Sequence, residues 1–143
     1  MLVLVRANVL VVGLVGLEGR SKALKRLPIR VSYIETGVEA GRSLKNESVD
    51  SVISQWELPD CPDGRFLKNL RLAKPYLPVI AIVNANDVEQ EIAARSIGVA
   101  AVLSSDVTDD VLIQTVGGVL GLGDTEEIQK LCAVADGLDH RHV

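Results

Sequence analysis

The sequence predicts a doubly wound α/β domain, in which helices cover both faces of one five-stranded parallel sheet. Apolar blocks of strand length alternate with segments of helical periodicity along the chain, and the links between them are short. Hydrophobic residues make up 48% of the sequence but aromatic residues only 3%. The core must therefore consist of Val, Leu, Ile and Ala, a composition typical of parallel sheets buried on both faces. A length of 143 residues fits one such domain.

The strands are predicted from short apolar runs bounded by polar or turn residues. Three of the five runs are nearly continuous Val, Ile, Leu and Ala, which is typical of strands covered on both faces. The second run alternates between apolar and polar residues, which indicates a position towards a sheet edge. The predicted strands are Asn8–Val12, Arg30–Ile34, Ser51–Gln55, Val79–Val83 and Ala100–Leu103.

Helical periodicity fills the intervals between the strands. Apolar spacing predicts helices over Glu18–Leu27, Gly37–Leu44 and Arg65–Ala73. Asn86 and Glu89 form a candidate capping box for the fourth helix, and Thr108 is a candidate cap for the fifth. The apolar residues that follow Asn86 are Val88, Ile92, Ala93 and Ile97.

A further helix is predicted beyond the fifth. The glycines at 121 and 123 end the fifth helix, and Asp124 with Glu127 forms another candidate capping box. We therefore divide the chain into a domain over residues 1–123 and a C-terminal helix and tail over 124–143. An apolar stripe on that helix must pack against its own domain or a second copy of the chain.

Composition and charge exclude several classes of function. A net charge of −4 and a pI near 5.1 leave no basic stripe to neutralise phosphates, which argues against nucleic-acid binding. The apolar run 9–17 is interrupted by glycines and is too short to span a bilayer, so we expect no membrane association and a cytoplasmic location. Cys61 and Cys132 are expected to be reduced thiols.

Three segments together resemble the response-regulator receiver family. Residues 49–60 run from a buried strand into an acidic loop, and Pro59 follows Gln55 by four residues, the interval that separates acceptor Asp and Pro in that family. Residues 78–83 and 98–105 are similar to its fourth and fifth strands, although the 59–64 loop is one residue longer. The resemblance spans roughly residues 8–121 and implies a flavodoxin-like (CheY-like) sheet.

The family's phosphorylation residues do not appear at the matching positions. The acidic pair that holds Mg²⁺ falls on Gly13 and Leu14, and the acceptor Asp falls on Gln55. The hydroxyl residue falls on Val83, and the essential Lys falls on Ser105. In addition, the switch aromatic of the fifth strand falls on Val102. The resemblance therefore implies a degenerate pseudo-receiver that is not an enzyme and uses neither a metal nor another cofactor.

Such a domain is expected to act by binding another protein in bacterial signal transduction. The partner would be a signalling kinase, an output protein or a second copy of the chain in a homodimer. By resemblance, the docking face comprises the fourth helix, fifth strand and fifth helix, with the candidate residues Ile97, Val99, Ala101, Val102 and Val111.

Two competing functions use other residues. Asp50, Asp60 or Asp63 could replace the acceptor in an atypical receiver, although Asp is common in loops, where it binds nearby backbone groups. The turn over 13–19, with Glu35 as a ribose ligand, could bind NAD, FAD or ATP. Its glycine spacing is wrong for that function, because Val15 and Glu18 stand where a dinucleotide loop needs glycine.

Two remaining features have a structural and a functional interpretation. Trp56, the only tryptophan, either partly covers the degenerate pocket, which we favour, or is an exposed anchor for a partner. His140 and His142, with Asp139, could bind a metal, but a chain-end H-x-H is usually a frayed polar tail.

Overall fold

The computed structural model describes residues 7–13 and 21–121. Its strands are β1 (Ala7–Val12), β2 (Ile29–Ile34), β3 (Ser51–Gln55), β4 (Val79–Val83) and β5 (Ala101–Ser104). Its helices are α1 (Ser21–Leu24), α2 (Gly37–Asn46), α3 (Arg65–Ala73), α4 (Val88–Ser96) and α5 (Asp109–Leu120). The C-terminal helix expected from residue 124 onwards lies outside the described residues. None of the helices in residues 7–13 and 21–121 is long and apolar enough to cross a membrane.

The five strands form one parallel sheet in the order β2-β1-β3-β4-β5. This topology confirms the predicted fold class. The alternating strand β2 does lie at an edge, where it pairs with β1 alone among the described strands. Strands β3 and β4 have the predicted bounds, and β5 begins one residue later than predicted.

The core consists of two apolar layers, one on each face of the sheet. On one face, α2, α3 and α4 pack through residues such as Leu44, Leu67 and Ala94 against alternate residues of the strands. On the other face, α1 and α5 pack through Leu24, Leu112 and others. Because successive strand residues point to opposite faces, both layers need continuous apolar strands.

The start of α4 corrects one prediction. The N-cap is Asp87, whose side chain accepts a hydrogen bond from the Gln90 N–H at 3.0 Å. The predicted capping box of Asn86 and Glu89 is wrong because Asn86 has a φ of +65°, which is incompatible with an N-cap conformation. Thr108, by contrast, caps α5 as predicted, with its Oγ1 3.3 Å from the Val111 nitrogen.

The loop between β3 and α3 is tied to the start of α2 by Asp60. One carboxylate oxygen accepts a hydrogen bond from the Gly37 N–H at 2.9 Å, and the other accepts one from the Val38 N–H at 3.0 Å. These two donors hold the pKa of Asp60 below its usual range. The carboxylate also lies at the positive end of the α2 dipole. The exposed Asp60 side chain thus connects the loop to the start of α2.

We predict that Asp60→Asn lowers the melting temperature, because the neutral amide offers one acceptor oxygen instead of two and carries no charge. Since the pKa of Asp60 is depressed in the folded state, its stabilising effect is present above the ordinary Asp pKa of about 4. That effect disappears as pH falls through the lowered value. Melting curves from pH 7 down to pH 2 should therefore show a difference between variant and wild type that shrinks at the acidic end.

Asp63→Asn, the same substitution in the same loop, is the matched control, since its carboxylate makes no hydrogen bond in the described part of the chain. Its melting temperature should stay close to that of wild type at every pH. Equal losses in the two variants would show that Asp60 does not tie the loop to α2.

The same loop closes over the ring of Trp56. Gly64 has a φ of +70°, and its N–H donates to the Trp56 carbonyl at 3.1 Å. A Cβ atom at position 64 would lie 2.2 Å from the Trp56 ring, a separation that no side chain tolerates. Glycine is required here for both its conformation and its lack of a side chain.

We predict that Gly64→Ala destabilises the fold by about 3 kcal/mol or more, because left-handed strain of about 1–2 kcal/mol is added to displacement of a buried tryptophan. The matched control is Gly121→Ala. Gly121 has a φ of +73°, but its added Cβ would meet no described atom within 4 Å. Denaturant unfolding should show that Gly121→Ala loses only the strain component; equal losses would exclude a steric role for Trp56.

Candidate functional site

The candidate site lies at the carboxyl ends of the strands. Strand β2 lies on one side of β1 and β3 lies on the other, so the direction in which successive strands are added to the sheet changes at this point. Ligands of open α/β sheets bind in the crevice at such a switch point. Gly13 follows β1 directly and Gln55 is the last residue of β3, so both border this crevice.

Gly13 and Gln55 are in close contact. The Gly13 N–H donates to the Ile34 carbonyl at 2.8 Å, and its φ is +81°. A Cβ at position 13 would lie 2.9 Å from the Gln55 Oε1 and 2.9 Å from Leu58 Cδ2. The half-buried Gln55 side chain thus fills the space into which a side chain at position 13 would extend.

Val83 and Ser105 lie together on the other side of the crevice. Val83 is buried, and its carbonyl accepts a hydrogen bond from the Ser105 N–H at 2.8 Å. The Ser105 hydroxyl accepts a hydrogen bond from the Ala85 N–H at 3.1 Å. Ser105 therefore fixes the β4–α4 loop and offers no positive charge. The structure thus places Gly13, Gln55, Val83 and Ser105 along one sheet edge, and Leu14 lies outside the described residues.

The described side chains around the Gly13–Gln55 contact do not fit a magnesium ion. Mg²⁺ needs near-octahedral oxygen coordination and is normally held by one or more carboxylates. Gln55 provides one neutral amide oxygen, Gly13 provides no side chain, and Val83 and Leu58 are apolar. Within residues 7–13 and 21–121, no group of three His, Cys, Asp or Glu side chains is arranged to hold a metal ion.

The three candidate substitute acceptors have other positions and contacts. Asp50 precedes β3 and lies at the opposite edge of the sheet, where its Oδ2 accepts a hydrogen bond from the Asn8 N–H at 2.7 Å. Asp60 binds the start of α2. Asp63 is exposed, with a φ of +58°, and its N–H donates to Glu57 Oε1 at 3.0 Å. These contacts support the interpretation of the three residues as loop acids.

Trp56 is only 4% exposed, so the interpretation as an exposed anchor is wrong. Its N–H donates to the Ile82 carbonyl at 2.8 Å, and Lys68 Nζ lies 5.6 Å from its ring centroid. The ring also lines a cleft of about 390 Å³ together with four acidic side chains, namely those of Glu57, Asp63, Asp87 and Glu89. The tryptophan is therefore a core residue that supports the loop after β3.

The residues of the predicted docking face differ in their exposure. Four of them, Ile97, Val99, Ala101 and Val102, are half-buried, whereas Val111 is 42% exposed. Ala101 packs towards the α1 and α5 layer, and the other three pack towards the opposite layer. These four contribute to the core beside strand β5, which is the second edge of the sheet among the described strands.

Sequence reasoning missed the most exposed apolar residues of α4. Val88 is 65% exposed and Ile92 is 63% exposed, while Ala94 is the buried residue of this helix. The sequence contains two apolar pairs at i, i+4 spacing, Val88 with Ile92 and Ala93 with Ile97. Only one pair can face the sheet, because the two stripes lie on different sides of the helix. The presence of two such stripes on one helix was the signal that could have identified one of them as exposed.

Other candidates lie largely outside the described residues. Of the turn over 13–19, only Gly13 is described, and Cys132, Asp139, His140 and His142 all belong to the undescribed C-terminal part. Cys61 is a free, half-buried cysteine. Burial, followed by the negative charge of Asp60, raises the pKa of its thiol.

Known proteins agree with this architecture. The sequence model of the response regulator receiver domain family matches residues 16–117 of this chain. The chain is 33% identical over 95 residues to a chemotaxis protein CheY homolog of Campylobacter jejuni, with 64% of this chain and 73% of the relative covered.

Solved structures share the fold. A response regulator receiver protein from Burkholderia phymatum superposes with a TM-score of 0.71 at 27% identity, over 84% of this chain and 99% of that protein. The receiver domain of the Pseudomonas aeruginosa sensor histidine kinase PA1611 was solved with magnesium in its active-site cleft. It superposes with a TM-score of 0.70 at 18% identity, over 80% of this chain and 98% of that domain. A sheet of this topology and a family match over residues 16–117 establish that the chain belongs to the response regulator receiver domain family of two-component signalling.

Proposed function

We propose that this receiver domain works without phosphorylation, as a pseudo-receiver that binds another protein in bacterial signal transduction and catalyses no reaction. The contact between Gly13 and the Gln55 side chain carries the proposal. It joins the position of an expected acidic residue to the position of the expected acceptor, and neither residue has a carboxylate.

The chemistry of phosphoryl transfer supports the proposal. An acceptor must attack phosphorus with a carboxylate oxygen, and the amide of Gln55 cannot form an acyl phosphate. Transfer also needs cationic groups that stabilise charge developing on the phosphoryl oxygens. At the matching positions stand the buried Val83 and the uncharged Ser105, so neither of these two positions provides such a cation.

The proposed partner site comprises edge strand β5 and the helices on either side of it. The exposed apolar residues of these helices are Val88 and Ile92 on α4 and Val111 on α5. Exposed apolar residues on several neighbouring elements favour protein binding. The partner is a signalling kinase, an output protein or a second copy of the chain.

We predict that acetyl phosphate with Mg²⁺ leaves the intact mass of the protein unchanged, because the chain lacks both the nucleophile and the metal ligands at the site. Mass spectrometry of the full chain after incubation checks this expectation. The variant Gln55→Asp should also keep a single mass, since a restored carboxylate alone still lacks metal ligands and a lysine.

An active receiver treated in parallel serves as the positive control for the reagent. A gain of one phosphate by the wild-type protein would overturn the proposal. A gain by Gln55→Asp alone would show that the remaining site supports transfer and that only the nucleophile has been lost.

A further inference from the structure

A groove lies between α2 and α3, on the sheet face that also carries α4. The groove has a volume of about 250 Å³ and an apolar floor that includes Leu44, Phe66 and Leu70. This volume is below the roughly 300–1,000 Å³ of pockets that enclose a small ligand. Its size suits one or two side chains of a protein partner.

Gly41 keeps this groove open. It lies in the middle of α2, where glycine disfavours the helix relative to alanine. No described atom lies within 4 Å of the Cβ that another residue would have at this position, and its φ is not positive. The packing of the described residues therefore does not require glycine at position 41, and glycine leaves this part of the groove lining without a side chain.

The rim of the groove is basic. Lys45 and Lys74 line it at the carboxyl ends of α2 and α3. No acidic residue lines the groove, so these two lysines make its rim positive although the whole chain has a net charge of −4. A complementary partner must present an apolar side chain flanked by carboxylates.

Helix α4 presents a surface of that kind. Val88 and Ile92 lie one turn apart on its solvent side and are 65% and 63% exposed. Glu89 and Glu91 are exposed residues of the same helix, and Glu91 pairs with Arg95 at 3.2 Å. An apolar stripe flanked by acidic residues thus matches an apolar groove with lysines on its rim.

We propose that the Val88–Ile92 stripe of one copy docks in the Gly41 groove of a second copy. The inference deepens the proposed function by naming a second copy as the partner. The two surfaces differ, so the contact is heterologous: each copy keeps one free groove and one free stripe, and assembly continues beyond a dimer or closes in a ring. Because the contact is small, the association is weak and depends on concentration.

The experiment measures mass by sedimentation equilibrium of the full chain from about 10 to 500 μM, a range suited to a weak contact. Wild type should rise above the monomer mass of 15.3 kDa. Gly41→Gln fills the groove and Ile92→Gln removes the apolar knob, so each variant alone should stay monomeric. An equimolar mixture of the two should form a 1:1 dimer that grows no further, since it retains one intact groove and one intact stripe.

Matched controls separate this contact from general effects. Gly118→Gln makes the same change at another helical glycine, whose added Cβ would meet no described atom within 4 Å, and Leu72→Gln removes an exposed apolar residue of α3 that does not line the groove. Both should assemble as wild type does. A wild type that stays monomeric throughout, a mixture that stays monomeric, or controls that lose assembly would each overturn the inference. None of these results bears on phosphorylation, which the mass measurement with acetyl phosphate decides separately.

Discussion

The close approach of Gly13 to Gln55 is the constraint on which the site depends. Parallel strands β1 and β3 are neighbours, so the residues at their carboxyl ends meet at the switch point of the sheet. In this chain the uncharged amide side chain of Gln55 lies against the backbone of Gly13. No room remains at position 13 for a carboxylate while Gln55 keeps its orientation.

The loops around this contact are held in place by side-chain hydrogen bonds and packing. Asp60 joins the β3–α3 loop to α2, Trp56 is packed beneath Gly64, and Ser105 holds the backbone at Ala85. Side chains next to the crevice thus stabilise neighbouring loops.

Much of the fold could be predicted from the sequence because the apolar runs are unambiguous. Strand β4 consists only of apolar residues, and the alternation in β2 identified an edge strand. Thr108 was predicted as the cap of α5, and its Oγ1 does accept a hydrogen bond from the Val111 N–H. At α4, Asn86 and Asp87 are adjacent capping candidates, and only the left-handed backbone of Asn86 decides between them. The orientation of α4 was equally undetermined, since two apolar stripes competed for the sheet.

The resemblance correctly brought Gly13, Gln55, Val83 and Ser105 to one edge, but it could not reveal their contacts. The burial of Trp56 depends on Gly64, and the open groove depends on the relative placement of α2 and α3. Both are properties of tertiary packing that no local pattern encodes. Paramagnetic Mn²⁺, added during ¹H–¹⁵N NMR of the full chain, tests the central claim most directly. The account predicts no selective broadening of the Gly13, Gln55 and Ser105 amides, and selective broadening of those three signals would contradict it.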